Sequence, residues 1–218
     1  MRTVSQIVEQ LILKSPFIQE TLNHGLVNNS SLARFLQPEI CRILDKDIKE
    51  GAILMAIKRL PQTDYVRLEK SLSSFMQQLG DIIVRADLIE YSYRNSDSLL
   101  SRQAELLKIV NKEHSYFCSF CRGVYETTII VSNTLSDAMK SIFKEEKPII
   151  IRADLSAITI MLPSTNLDTH GVYYSILKRL AWKGINLIEV VSTAHEITLV
   201  VAKEDVDDVF KLVMDMKR

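Results

Sequence analysis

The sequence predicts an α+β protein: an N-terminal helical domain, winged-helix-like in one reading, followed by two ferredoxin-like βαββαβ modules. Three observations predict it. The hydrophobic period is 3.6 residues up to Gly80 and 2 beyond it. A heptapeptide, Ile82-Ile83-Val84-Arg85-Ala86-Asp87-Leu88, recurs as Ile149-Ile150-Ile151-Arg152-Ala153-Asp154-Leu155, identical at six of seven positions. Each copy is followed by the same order of patterns: strand, helix, two strands, helix. The expected domains are residues 1–80, 81–153 and 154–218.

Each element follows from its own pattern. Val4, Ile7, Val8, Leu11 and Ile12 recur at helical spacing over residues 3–14. Ser15-Pro16 stops that helix and starts another, with Ser as cap and Pro at the first helical position. Phe17, Ile18 and Leu22 form its apolar face, and Gly25 suits its stop. Asn28-Asn29-Ser30 caps a short helix carrying Leu32, Ala33 and Leu36. Pro38 opens a separate one with Ile40, Cys41 and Leu44. Ile53, Ala56, Ile57 and Leu60 predict a helix over 48–60 ended by Pro61. Leu68, Leu72, Phe75 and Leu79 predict one over 65–79 closed by Gly80. The first copy then gives a strand near 87–93, a helix near 97–110, strands near 115–121 and 125–131, and a helix near 134–144. The second gives a strand near 156–162, a helix near 171–183, strands near 185–191 and 196–202, and a helix near 204–216. The final helices are twins: Leu135, Ala138, Met139 and Ile142 share their spacing with Val206, Val209, Phe210 and Val213.

The bulk composition excludes several classes. The 218 residues carry 27 Lys+Arg against 27 Asp+Glu, so no strong charge draws the chain to nucleic acid or an anionic membrane. No window approaches the roughly 18 uninterrupted apolar residues of a membrane span. The first residues show no signal-peptide core, and three cysteines do not make a disulfide framework. A cytoplasmic protein with reduced thiols is expected.

The second copy carries further detail. Gly171-Val172 opens its first helix after the polar loop Ser164-Thr165-Asn166-Leu167-Asp168-Thr169-His170. Gly184-Ile185-Asn186-Leu187 opens the second strand, which carries Asn186, and Val191-Ser192-Thr193-Ala194-His195-Glu196-Ile197 forms a hairpin before the next. In these motifs residues 82–218 resemble the C-terminal ACT region of aspartate kinases. That family has a glycine-valine helix start, a "GINI" second strand and an "ISTSEI" hairpin. In it the first ACT module is inserted into the second, whose sheet is completed by an upstream strand. The resemblance therefore implies that strand 82–85 serves the second module. Three positions depart from the family. His170 replaces its proline, and Met161-Leu162-Pro163-Ser164 replaces its glycine-rich strand end. Asn95-Ser96-Asp97-Ser98 stands where the first copy's helix-opening glycine would be. The N-terminal helices leave no room for a kinase domain, so kinase activity does not carry over and no enzyme is expected.

The resemblance implies a small-molecule site, for an amino acid, where the loop after one module's first strand meets the second strand of a neighbouring module. A helix start favours a carboxylate, and side-chain carboxylates and amides can take the ammonium. The candidate residues are Asn166, Asp168, Thr169, His170, Gly171 and Asn186, with Asn95, Ser96 and Asp97 equivalent in the first copy. The bland reading of the same loop is a polar turn with Asp168 or Thr169 as helix cap. Cys118-Ser-Phe-Cys121 is a lone CxxC, and cysteines three apart on a strand point to opposite faces, so a structural role is expected. The histidines show no ligand spacing, and no nucleophile elbow, P-loop or dinucleotide fingerprint is present. No cofactor, metal or catalytic residue is expected. In the helical domain, residues 31–36 resemble the first helix of a helix-turn-helix, and residues 51–60 the end of a recognition helix. Arg34, Lys58 and Arg59 would be its phosphate contacts. Functionally, the expectation is a non-enzymatic, homodimeric regulator that senses an amino acid. The alternatives are a ligand-responsive DNA-binding regulator and a regulatory subunit of an amino-acid biosynthetic enzyme.

Overall fold

The structure is a computed structural model that describes residues 2–60, 64–113 and 115–218. The chain forms two compact units, Met1–Ser71 and Leu72–Arg218.

Among its described residues the first unit is built of helices: α1 (Val4–Leu13), α2 (Pro16–Asn23), α3 (Asn29–Leu44), α4 (Glu50–Lys58) and the first turns of α5 (Asp64–Gln77). Thr3 and Gln6 cap α1 reciprocally, each side chain bonding the other's backbone N–H. Asn28 accepts from the N–H groups of Ser30 and Ser31 and so starts α3. Ile7, Val8, Leu36, Ile40, Ile53 and Ile57 fill the core. No strand occurs among the described residues of this unit.

The two helices expected to meet at Pro38 are one. Pro38 lies inside α3 on its exposed side. An interior proline costs about 3 kcal/mol. Leu36 and Ile40 bracket it on the buried face, and each contributes roughly 1.5–3 kcal/mol when fully buried. Those burials outweigh the lost hydrogen bond. Pro61, expected to end α4, lies outside the described residues.

The second unit begins within α5, whose last turns bury Phe75 and Met76, followed by Leu79. Its strands are β1 (Ile82–Arg94), β2 (Cys118–Arg122), β3 (Glu126–Ser132), β4 (Pro148–Met161), β5 (Leu187–Ser192) and β6 (Glu196–Ala202). Its helices are α6 (Leu99–Val110), α7 (Ser136–Ile142), α8 (Val172–Trp182) and α9 (Val206–Met216). They form one antiparallel six-stranded sheet in the order β2-β3-β1-β4-β6-β5.

The repeated heptapeptide makes the sheet continuous. β1 and β4 are long strands of 13 and 14 residues. Each bends at the same repeat position: Asp87 has φ 54° and Asp154 has φ 55°. Aspartate tolerates this left-handed conformation better than most residues. The pairing register shifts at both places, leaving a bulge in each strand. Above its bend, residues Leu88–Arg94 of β1 pair with β3. Below it, Ile82–Arg85 pair with Ile160–Ala157 of β4, beside β6. Conversely, Ile150–Arg152 pair with Ser92–Glu90. Each long strand thus lends its first half to the other module's sheet.

Three cores hold the unit. In the first module, Ile89, Tyr91, Tyr93, Leu99, Leu106 and Met139 lie between sheet and helices. In the second, Ile158, Ile160, Ile176, Leu199 and Val213 do the same. On the opposite face, Leu88 and Ile130 pack with Leu155, Ala157 and Val200. That face is buried as well, with the partly buried Phe117 and Ile188 packed against it.

Candidate ligand site

In the second module the loop between β4 and α8 is docked on the β5–β6 hairpin. Leu162 N donates to His195 O (2.7 Å), and Asn166 Nδ2 donates to Ala194 O (3.2 Å). Residues Ser164–Leu167 make one 3-10 turn, after which Asp168 N bonds Thr165 O at 3.1 Å. Thr169 Oγ1 donates to the same carbonyl (2.9 Å), so its hydroxyl closes the turn and does not cap α8. Asp168 and His170 are exposed. Gly171 is the N-cap of α8 with φ 81°, a conformation that costs a non-glycine residue about 1–2 kcal/mol. No side chain caps this helix. Its first turn therefore presents backbone N–H groups with the positive end of the helix dipole behind them. Beside it, the Tyr173 hydroxyl hydrogen-bonds Ser192 Oγ at the end of β5.

Asn186 is exposed and immediately precedes β5. That strand pairs Leu187 with Val201 at one end and Ser192 with Ile197 at the other, and the loop 162–171 sits at the Ser192 end. Asn186 is thus a strand length, roughly 17 Å at 3.3 Å per residue, from the loop of its own module. The two are not brought together within one module.

The equivalent place in the first module is built differently. Asn95 is stitched to the β2–β3 hairpin. Its Nδ2 donates to Gly123 O (3.0 Å) and Val124 O (3.1 Å), and its Oδ1 accepts from Thr127 Oγ1 (2.6 Å). Ser96 Oγ accepts from Leu99 N (3.2 Å), the first N–H of α6, while the N-cap residue Ser98 makes no side-chain capping bond. The Glu146 carboxylate sits over that start, accepting from the hydroxyls of Ser96 (2.9 Å) and Ser98. Arg102 of the same helix pairs with the neighbouring Glu145 at 2.7 Å. Asp97 is exposed. The chain's own carboxylate thus holds both hydroxyls at this helix start. Sequence reading did not find Glu146, because it lies 50 residues from Ser96 and only the fold joins them.

The remaining candidates are dispersed. Arg34 lies 3.6 Å from Glu50, at the start of α4, and bonds Ser31 Oγ. Lys58 and Arg59 are at the opposite end of α4, about 12 Å away at 1.5 Å per residue. Arg34 and the pair Lys58 and Arg59 thus sit at opposite ends of α4. Cys118 packs against the first module's core, and burial pushes its thiol up to about 12, whereas Cys121 is exposed. No group of His, Cys, Asp and Glu suited to a metal occurs among the described residues. No described helix is long and apolar enough to cross a membrane.

No family model and no curated protein matches the chain. Solved structures do. The aspartate kinase of Clostridium acetobutylicum is similar at 12% identity and a TM-score of 0.51, over 63% of this chain and 34% of that one. The ligand-free regulatory subunit of aspartate kinase from Thermus thermophilus is similar at 12% identity and a TM-score of 0.50, over 63% and 97%. The chain spans about a third of the first protein's length and nearly all of the second's. Over the 63% of the chain that is covered, the fold is thus that of the aspartate kinase regulatory region, two interlocked ACT modules, without a kinase domain among the described residues.

Proposed function

We propose that this protein is a non-enzymatic regulator that senses a small metabolite, an amino acid, through its second ACT module. The observation that carries the reading is the start of α8. It has a left-handed Gly171, no side-chain cap, and Asp168 and His170 exposed in the adjoining loop. The helix start would take the carboxylate, and Asp168 the ammonium. The sheet ends on two open strands, β2 and β5, and an unpaired edge is a template for a second copy. If two β5 strands pair antiparallel about a twofold axis, Leu187 comes opposite the partner's Ser192. Asn186 then reaches the partner's 162–171 loop. A homodimer of this kind completes the site, with each module's loop meeting the neighbour's second strand. The three free cysteines suit a reducing cytoplasm.

A thermal-shift screen of the whole protein against each proteinogenic amino acid tests the reading. One or a few should raise the melting temperature, and Gly171→Ala should abolish the rise. No shift with any of them overturns the amino-acid assignment.

A further inference from the structure

The second unit buries a carboxylate, Glu90 of β1, to 4% exposure. In the register it stands beside Ile130, on the face that Leu88, Leu155, Ala157 and Val200 make apolar. Two residues past the repeated heptapeptide, the second copy has Ala157 at the equivalent place, so the repeat itself does not require an acid there. A buried charge is costly unless it is paired and hydrogen-bonded. Glu90 Oε1 accepts from Ser92 Oγ (3.2 Å), whose hydroxyl also meets Thr128 Oγ1 (3.0 Å). Arg152 Nη1 of β4 lies 3.7 Å from Oε2, close enough for an ion pair and too far for a hydrogen bond. Oε2 is therefore a buried acceptor without a donor.

A second carboxylate comes to the same face from the other module. Glu189 of β5 pairs with Val200, and its neighbour Ile188 packs against the same apolar cluster. Glu189 is half-buried, and burial, followed by the charge of Glu90, holds its carboxyl above the ordinary value of 4.5. From β2, Ser119 and the exposed Cys121 lie opposite Ile130 and Thr128 of β3. Arg85 of β1, opposite Ala157, donates to Ser115 O (2.9 Å), and Lys203 holds Asp87 at the bend (3.6 Å). Arg152 is thus the cation set against Glu90, and it offsets one negative charge, not two. A divalent cation does not suit the place, because Arg152 already brings a positive charge to it. A proton does suit it: a neutral carboxyl donates to an ionised one. We propose that Glu189 and Glu90 form a proton-operated latch between the modules. Glu189 takes a proton from solvent and donates it in a hydrogen bond to Glu90 Oε2, tying β5 of the second module to β1 of the first. Loss of that proton breaks the bond and leaves two like charges on one apolar face. The latch therefore closes as pH falls through the Glu189 titration and opens as pH rises through it.

Carboxyl carbon NMR of the full-length protein, labelled at glutamate, follows Glu189 through a pH titration. In the native chain Glu189 should titrate above 4.5, and Glu90→Gln should move that titration down. A structure determined at pH 4.5 should place a Glu189 oxygen within about 3 Å of Glu90 Oε2. Glu189→Gln keeps the test open if Glu90→Gln does not fold. Its amide donates at every pH, so it should hold the latch shut and raise the melting temperature at neutral pH. A Glu189 titration that ignores Glu90→Gln would overturn the proposal. So would two carboxyls that stay apart at pH 4.5, or a Glu189→Gln variant that gains nothing at neutral pH.

Discussion

The two ACT modules share a fold and differ where a ligand would matter. At the start of α6, Ser96 accepts from the Leu99 N–H, and Glu146 holds the Ser96 and Ser98 hydroxyls. At the start of α8, Gly171 turns the chain and no side chain caps the first turn. The same backbone thus carries one closed and one open helix start. The difference teaches that a repeat can keep its architecture while the polar groups at one copy's helix start are engaged by the chain itself and those at the other's are not.

The interlock is the feature both modules share, and it sets the largest expected effect. Leu106 in α6 and Ile176 in α8 are fully buried in separate cores. Each change to alanine should cost about 2–5 kcal/mol. Because β1 and β4 serve both sheets, Leu106→Ala in the first module should lower the unfolding transition reported by Trp182 in the second. The shift should be comparable to that of Ile176→Ala. A Trp182 transition that ignores Leu106→Ala would separate the modules and break the comparison.

The helix starts come next in size. Gly171→Ala should cost about 1–2 kcal/mol from its positive φ and remove the amino-acid response. Ser96→Ala should cost about 1 kcal/mol, the worth of a cap, and leave that response intact. Urea denaturation and thermal shift on both variants check this contrast. Glu146→Gln weakens two hydroxyl contacts on a half-buried group and should cost about 1 kcal/mol or less. A ligand response that disappears in this variant would place the working site in the first module.

The smallest effect depends on pH. Burial, and then the charge of Glu90, holds the Glu189 carboxyl above the ordinary value of 4.5. The folded state therefore disfavours its ionised form. At pH below 4.5 the group is protonated in folded and unfolded chains alike and costs nothing. As pH rises through the interval between the unfolded and folded values a penalty sets in, and it stays above them. Glu189→Gln should raise the melting temperature at neutral pH and lose that advantage in acid. An equal effect at both pH values would contradict it.

Much of this was legible in the sequence. The change of period at Gly80, the repeat and the order of elements gave the α+β class, because burial periodicity is written directly in apolar residues. The repeated Ala-Asp even marks where each long strand bends, at Asp87 and Asp154. Pro38 misled, because local propensity argued for a break and the buried face of Leu36 and Ile40 overrode it. The closed state of the first module was illegible. Glu146 meets Ser96 only through the fold, and no local pattern records a contact across 50 residues. Asn186 was expected on the second strand and instead immediately precedes it, and its separation from its own loop follows from strand direction alone.

Calorimetric titration of the full-length protein with the amino acid that gives the largest thermal shift tests the central claim most directly. One ligand per chain, lost in Gly171→Ala and kept in Ser96→Ala, is the predicted result. Two ligands per chain, or one that survives Gly171→Ala, would contradict the assignment of sensing to the second module.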